Sequence, residues 1–198
     1  MSQDRVRVIG LAGTNGAGKD TVGDIIAQEY GFLFISVTDI MRQELARRGL
    51  PPEREHMRAL SSEWRKAYGL GVLVDRAYDI YQSQSTHYKG VVFASLRNPY
   101  EVDRVHELGG VVAWIDADPR LRYERIRSAK RQGREDDDQK SFEQFIAEEE
   151  AEMVSSSNDK TQLNMGAVKQ KADILIENHT DTVEPLKVLV KQRFDDII

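Results

Sequence analysis

The chain has 198 residues, 40% of them hydrophobic, with a formal net charge of −5 and no cysteine. That length and apolar content suit one substantial α/β domain and exclude global disorder. The absence of thiols excludes disulfides, thiolate zinc sites and cysteine nucleophiles, and suits a reducing cytosol. No apolar run is long enough for a bilayer, and the polar start Met1-Ser2-Gln3-Asp4 does not read as a signal peptide. The acidic balance argues against non-specific nucleic-acid binding. The expectation is a cytoplasmic protein that engages neither nucleic acid nor membrane.

The first apolar run, Val6 to Ala12, reads as a strand, and Gly13-Thr14-Asn15-Gly16-Ala17-Gly18-Lys19-Asp20-Thr21 follows it. The amphipathic segment Val22, Ile25, Ile26 and Tyr30 comes next, so the order is strand, glycine-rich turn, helix. A turn of this build wraps backbone N–H groups around the phosphates of a nucleoside triphosphate, and the helix beginning at Gly18 aims its positive end at the same anions. Lys19 would reach the outer phosphates and the Thr21 hydroxyl would hold magnesium. The spacing matches the P-loop pattern except that Asp20 stands where Ser or Thr is usual, with the hydroxyl one place later.

Strand and helix signals alternate from there. A second strand is predicted at Phe32 to Val37, with helices over Asp39 to Arg48, Glu53 to Tyr68 and Val72 to Ser83. A third strand at Gly90 to Ser95, a helix over Tyr100 to Leu108 and a fourth strand at Val111 to Ile115 come next. Another helix starts near Pro119, a long one covers Phe142 to about Val154, a weak stretch runs over Ser155 to Asn164, a fifth strand lies at Asp173 to Ile176, and the last helix begins near Thr182. This alternation predicts a parallel sheet with helices on both faces, whose ligands bind beyond the carboxyl ends of the strands. Ser36 to Asp39, Ser95 to Arg97 and Asp116 to Asp118 therefore fall on the side of the phosphate loop.

Arg97, directly after the third strand, reads as a clamp for a second anion, or as a partner of Glu101. Asp39 reads as a helix cap in competition with Thr38, and Arg42, one turn in, faces the crevice. The basic stretch Arg120, Arg122, Arg125, Arg127, Lys130, Arg131 and Arg134 reads either as a mobile cover over a triphosphate or as a solvated face with local ion pairs. The four histidines, His56, His87, His106 and His179, lack metal-ligand spacing, and nothing resembles a serine or cysteine nucleophile system.

The combination resembles the nucleoside monophosphate kinase superfamily of P-loop proteins. Ile35 to Arg42 is similar to the adenylate-kinase segment Ile-Ser-Thr-Gly-Asp-Met-Leu-Arg, and Phe93 to Arg97 to its third-strand element ending in Pro-Arg. The resemblance implies that Arg42 and Arg97 hold the acceptor phosphate. Asp118-Pro119 through Glu124-Arg125-Ile126 resembles the segment leading into the lid, which implies that Arg125 packs on the donor adenine; Arg131 and Arg134 match lid arginines more loosely. A group of small kinase-like proteins common in archaea, related to adenylate kinase and dephospho-CoA kinase, is more similar still. It shares the Gly-Ala-Gly-Lys loop, the Arg122 to Arg125 run with Gly133 to Asp137, and the strand Ala172 to Asn178, whose following loop lines the donor-base pocket. The Gly-Lys-Asp-Thr loop and Arg97 to Val102 also resemble phage-type deoxynucleoside monophosphate kinases.

What the resemblance implies is a three-layer α/β/α P-loop NTPase fold with a five-stranded parallel sheet. Its core would cover 1–37, 88–128 and 141–198, with an acceptor-binding helical insert at about 38–87 and a short lid at about 129–140. It implies ATP and Mg2+ as cofactors and a small-molecule nucleotide acceptor as partner. Gly13 to Thr21, Arg125 and Asn178 would bind the donor; Lys19, Arg97, Arg125 and Arg134 would act in transfer; Asp39, Arg42 and Arg97 would bind the acceptor; Thr21 would bind metal. Relatives usually carry an aspartate on the third strand to order magnesium. Here Ala94 or Ser95 takes that place, and Asp20, Asp39 or Asp116 are the substitutes the chain offers. A nucleoside monophosphate acceptor leads, because a phosphate needs no general base. A hydroxyl acceptor such as dephospho-CoA, with Asp39 as proton acceptor, and a nucleotide-binding regulator without kinase activity are the alternatives.

Overall fold

The computed structural model describes residues 7–128, 140–154 and 159–198. The expected cover at 129–140, with Arg131 and Arg134, therefore lies outside the described residues apart from Lys140. Five strands, β1 (Val8–Gly13), β2 (Phe32–Ser36), β3 (Gly90–Leu96), β4 (Val111–Asp116) and β5 (Ile174–Glu177), pair in the order β2-β3-β1-β4-β5, every pair parallel. The phosphate-loop strand is thus central, and the loops leaving β3 and β4 flank it on either side. This arrangement carries the phosphate loop, Arg97 and Asp116 to one sheet edge.

Side chains alternate between two cores, as period two demands of strands buried on both faces. Val8, Ala12, Val91, Phe93, Val112 and Trp114 face one core; Ile9, Leu11, Val92, Ala94, Ala113 and Ile115 face the other. The second core is closed by α1 (Lys19–Tyr30) and α9 (Val183–Phe194). The first is closed by α2 (Val37–Arg47), α3 (Arg54–Tyr68), α4 (Val72–Gln82), α5 (Pro99–Glu107) and α8 (Met165–Lys171). Two further helices, α6 (Pro119–Ser128) and α7 (Phe142–Met153), complete nine among the described residues. The result is a three-layer α/β/α fold. No helix among these residues is long and apolar enough to cross a membrane.

Three local expectations change. The second helix begins at Val37, with Ser36 as its N-cap, so neither Thr38 nor Asp39 caps it. Met165–Lys171 is helical where no helix was expected; Asn164 caps it through its side chain, and Met165 and Val168, one turn apart, are buried. The fifth strand begins at Ile174, and just before it Asp173 pairs with Val112 through its backbone N–H while its carboxylate accepts from the Val112 N–H and from His106.

Candidate active site

The loop from β1 to α1 has the backbone an anion cradle needs. Gly13 has φ +139°, and a Cβ there would sit 1.9 Å from the Ile115 carbonyl oxygen. Gly18, at φ +96°, is the N-cap of α1 and offers no side chain to it. The first-turn N–H groups of α1, and the positive end of its dipole, are left for a ligand. Lys19 folds back over the loop and donates to the carbonyls of Gly13 at 3.0 Å and Thr14 at 2.7 Å. Thr21 is half-buried in the first turn and Asp20 is exposed.

Three side chains from distant elements fix the loop from outside. Thr14 donates its hydroxyl to Asp116, at the end of β4, at 2.8 Å. Arg122, on α6, donates to the Asn15 carbonyl at 3.3 Å, and Asn178, after β5, donates to the Ala17 carbonyl at 2.8 Å. Burial would raise the Asp116 carboxyl, but hydrogen bonds from Thr14, Trp114 and the Ala117 N–H, with the Arg122 guanidinium nearby, carry it below the ordinary aspartate value. These contacts occupy Asp116, which disfavours it as a magnesium ligand.

Arg122 overturns the reading of its helix as a solvated face. Its side chain is 2% exposed and also donates to the Ala117 carbonyl at 2.9 Å and pairs with Glu149 of α7. The detectable signal was spacing: Arg122 and Ile126 lie four apart, on the buried face of α6. Arg125, one turn beyond, donates to the carbonyls of Asn178 at 3.1 Å and Thr180 at 2.5 Å, while its buried Nη1 has no hydrogen-bond partner. Burial lowers the pKa of this guanidinium. Arg125 and Asn178, expected on the donor side, are thus brought together, with one donor unsatisfied.

On the other side of the loop, the Arg97 guanidinium pairs with Glu152 of α7 at 3.1 Å. It does not pair with the side chain of Glu101, which instead accepts from the backbone N–H groups of Arg97 and Asn98 and forms a buried ion pair with Arg65 of α3 at 2.7 Å. Arg42 pairs with Asp39 on its own helix at 2.8 Å, both well exposed, and neither lines the cleft beside the phosphate loop. In place of the third-strand aspartate, β3 carries a register shift beside Ser95, which has φ +76°. Among the described residues it is the one non-glycine with positive φ.

Helix α7 was expected as a helix but not as a wall of the site. Its Glu148, Glu149 and Glu152 border a cleft whose other walls include Gly13, Thr14, Asn15, Arg54 and Arg97. Arg54 and Arg58 of α3 were not picked out either; each pairs across the cleft with α7, Arg54 with Glu148 at 3.2 Å and Arg58 with Glu152 at 3.1 Å. No group of three or more acidic or histidine side chains among the described residues is placed to cage a metal ion.

Residues 12–143 match the family described as AAA domain. A UPF0200 protein of Pyrobaculum aerophilum is 30% identical over 195 residues, covering 95% of this chain and 99% of its own length. A UPF0200 protein of Pyrococcus abyssi is 30% identical over 177 residues, covering 86% of this chain and 87% of its own. Among solved structures, a shikimate kinase from Bacteroides thetaiotaomicron superposes with a TM-score of 0.57 at 16% identity, over 94% of this chain and 97% of its own. A sugar kinase from a Janibacter species gives 0.50 at 16% identity, over 97% and 95%. These two likenesses show a shared P-loop kinase-like fold.

Proposed function

The chain belongs to the AAA-domain family and to the UPF0200 group, and we propose that it is an ATP-dependent nucleotide kinase acting on a nucleoside monophosphate-type acceptor. One observation carries this reading. A single cleft is bounded on one side by Gly13, Thr14 and Asn15 of the phosphate loop and on the other by Arg97. A donor phosphate and an acceptor anion held on those two walls would face each other, and positioning of that kind supplies most of the catalysis in phosphoryl transfer.

Bound ATP with magnesium would supply the γ-phosphoryl group. The chain's part is to hold and neutralise. Backbone N–H groups of Gly13 to Thr21 hold the donor phosphates, and the Thr21 hydroxyl meets the metal. Lys19 exchanges the carbonyls of Gly13 and Thr14 for phosphate oxygens. Arg125 and Asn178 shape the donor-base side, and Arg97 fixes the acceptor. Arg134 is assigned a part in transfer on the resemblance alone. Asp39 and Arg42 do not line the cleft beside the phosphate loop, whereas Arg97 does, so they rank behind it.

A second reading, a nucleotide-binding regulator, is favoured by Ser95 in the place of the usual aspartate and by the carboxylates of α7 filling the cleft. A coupled kinase assay over a panel of ribo- and deoxyribonucleoside monophosphates and dephospho-CoA decides between them. Transfer to a monophosphate is the expected result. ATP uptake with no transfer to any acceptor would give the regulator.

A further inference from the structure

Arg122 is buried on α6, and its guanidinium joins that helix to two other elements. Nε donates to the Ala117 carbonyl at 2.9 Å, and Nη1 reaches the Asn15 carbonyl of the phosphate loop at 3.3 Å. Nη1 and Nη2 together fork onto the Glu149 carboxylate of α7, with the Nη2 contact at 2.7 Å. Phe145, one turn before Glu149 and itself buried, has its ring centroid 5.5 Å from the guanidinium carbon. That ring helps to keep water from the fork, which strengthens it.

The guanidinium fixes one peptide plane of the loop. In a trans peptide the C=O and the N–H that follows it point opposite ways, and no peptide bond among the described residues is cis. Arg122 holds the Asn15 carbonyl towards α6, so the Gly16 N–H is directed the other way, as a donor to an anion requires. If that plane turned over, the loop would offer an oxygen where it now offers a donor. Neighbouring loop carbonyls are anchored likewise, those of Gly13 and Thr14 by Lys19 and that of Ala17 by Asn178.

Glu149 carries the wrong charge for its position. It borders the same cleft as Gly13, Thr14 and Asn15, where a carboxylate repels a polyphosphate. Arg122, however, is 2% exposed, and a guanidinium so buried needs a counter-charge. Asp116, the other carboxylate beside it, is 3.7 Å from Nε and also accepts from Thr14, Trp114 and Lys169. The fork to Glu149 is therefore what holds Arg122 in place.

We infer that Arg122 is a positioning residue for the donor phosphates and that Glu149 acts through it, so that a carboxylate from α7 improves polyphosphate binding although its charge opposes it. The inference rests on the reading of the loop as a phosphate cradle and not on the identity of the acceptor.

The test is calorimetric titration of the full chain, with magnesium present, against a non-hydrolysable ATP analogue and against inorganic tripolyphosphate, which engages the loop without a base. Glu149→Gln keeps the shape but offers one acceptor where the fork needs two. It should bind both ligands about fivefold more weakly, the equivalent of one hydrogen bond. Arg122→Lys brings a single nitrogen to three partners and should lose at least as much. The double variant should lose no more than Arg122→Lys alone, because Glu149 then has nothing to act through. Glu150→Gln, the same charge change on the exposed face of α7, should leave both affinities unaltered. If Arg122→Lys does not fold, Glu149→Gln against Glu150→Gln still decides the question by sign. Unaltered or tighter binding in Glu149→Gln, additive losses in the double variant, or an equal loss in Glu150→Gln would each overturn the inference and leave the kinase reading standing. No uptake of either ligand by the unaltered chain would overturn both.

Discussion

The side-chain amide of Asn178 donates to the carbonyl of Ala17 at 2.8 Å across 161 positions of sequence. The loop after β5 thereby braces the phosphate loop from behind, and the same Asn178 side chain accepts from the Thr180 hydroxyl at 2.8 Å. Asn178→Ala would leave a buried carbonyl without its donor, at a cost of about 1–3 kcal/mol. Urea unfolding should show that loss, and calorimetry should show weaker ATP uptake. Asn178→Asp, which turns an acceptor toward the carbonyl, should be worse. An alanine variant with native stability and affinity would remove the bracing role.

Lys19 donates to two carbonyls of its own loop, those of Gly13 and Thr14. Such bonds contribute about 1 kcal/mol net. Lys19→Ala should therefore cost about 2 kcal/mol of stability, one for each bond, and remain folded while losing phosphoryl transfer altogether. Undiminished turnover in a folded variant would refute the assignment.

Asp116 gives the fold a dependence on acid. Its folded pKa lies below the ordinary aspartate value, so its stabilisation is complete above that ordinary value, near ~4, and is lost as pH falls through the folded pKa. Asp116→Asn should be less stable than the unaltered chain by a constant margin from neutral pH down to about 4, with the margin closing below it. Chemical denaturation at a series of pH values measures this. A margin that widened in acid would reverse the sign and exclude the proposed cause.

Glu101 ties Arg97 to α3. It is fully buried, accepts from the Arg97 N–H at 2.8 Å, and pairs with Arg65 at 2.7 Å. Breaking such a pair from one side costs about 3–5 kcal/mol, so Arg65→Leu should unfold much earlier in denaturant. Glu101→Gln keeps the shape and should cost less, yet it should raise the acceptor KM more than the ATP KM. Equal changes in both constants would count against a positioning role.

Ser95 holds φ +76° at the bulge in β3. An L-residue pays about 1–2 kcal/mol for that conformation and glycine does not. Ser95→Gly should therefore raise the unfolding free energy by about 1 kcal/mol. A loss of stability instead would show that the serine side chain contributes more than its backbone costs.

Much of the architecture was legible because it is written in local chemistry. Short apolar runs and amphipathic segments gave the five strands and most helices within a residue or two, and alternation gave the parallel sheet. The phosphate loop was legible because glycine spacing encodes its backbone. Helix α8 was not, since seven residues with a side-chain cap and two buried positions make too short a periodic signal.

The sequence by itself determined the α/β layering, the loop at Gly13 to Thr21 and the placement of Arg97 at the sheet's carboxyl edge, because each follows from residue type and spacing along a single segment. Only the tertiary structure decided what meets that loop. It assigned Arg97 to Glu152, Glu101 to Arg65 and Arg122 to Glu149, kept Arg42 with Asp39, and brought Arg54 and Arg58 into view. The reason is that any charged residue in the chain has many possible partners of opposite sign. Which one it takes depends on separations of tens of residues closed by burying the two cores, and no local pattern encodes that choice.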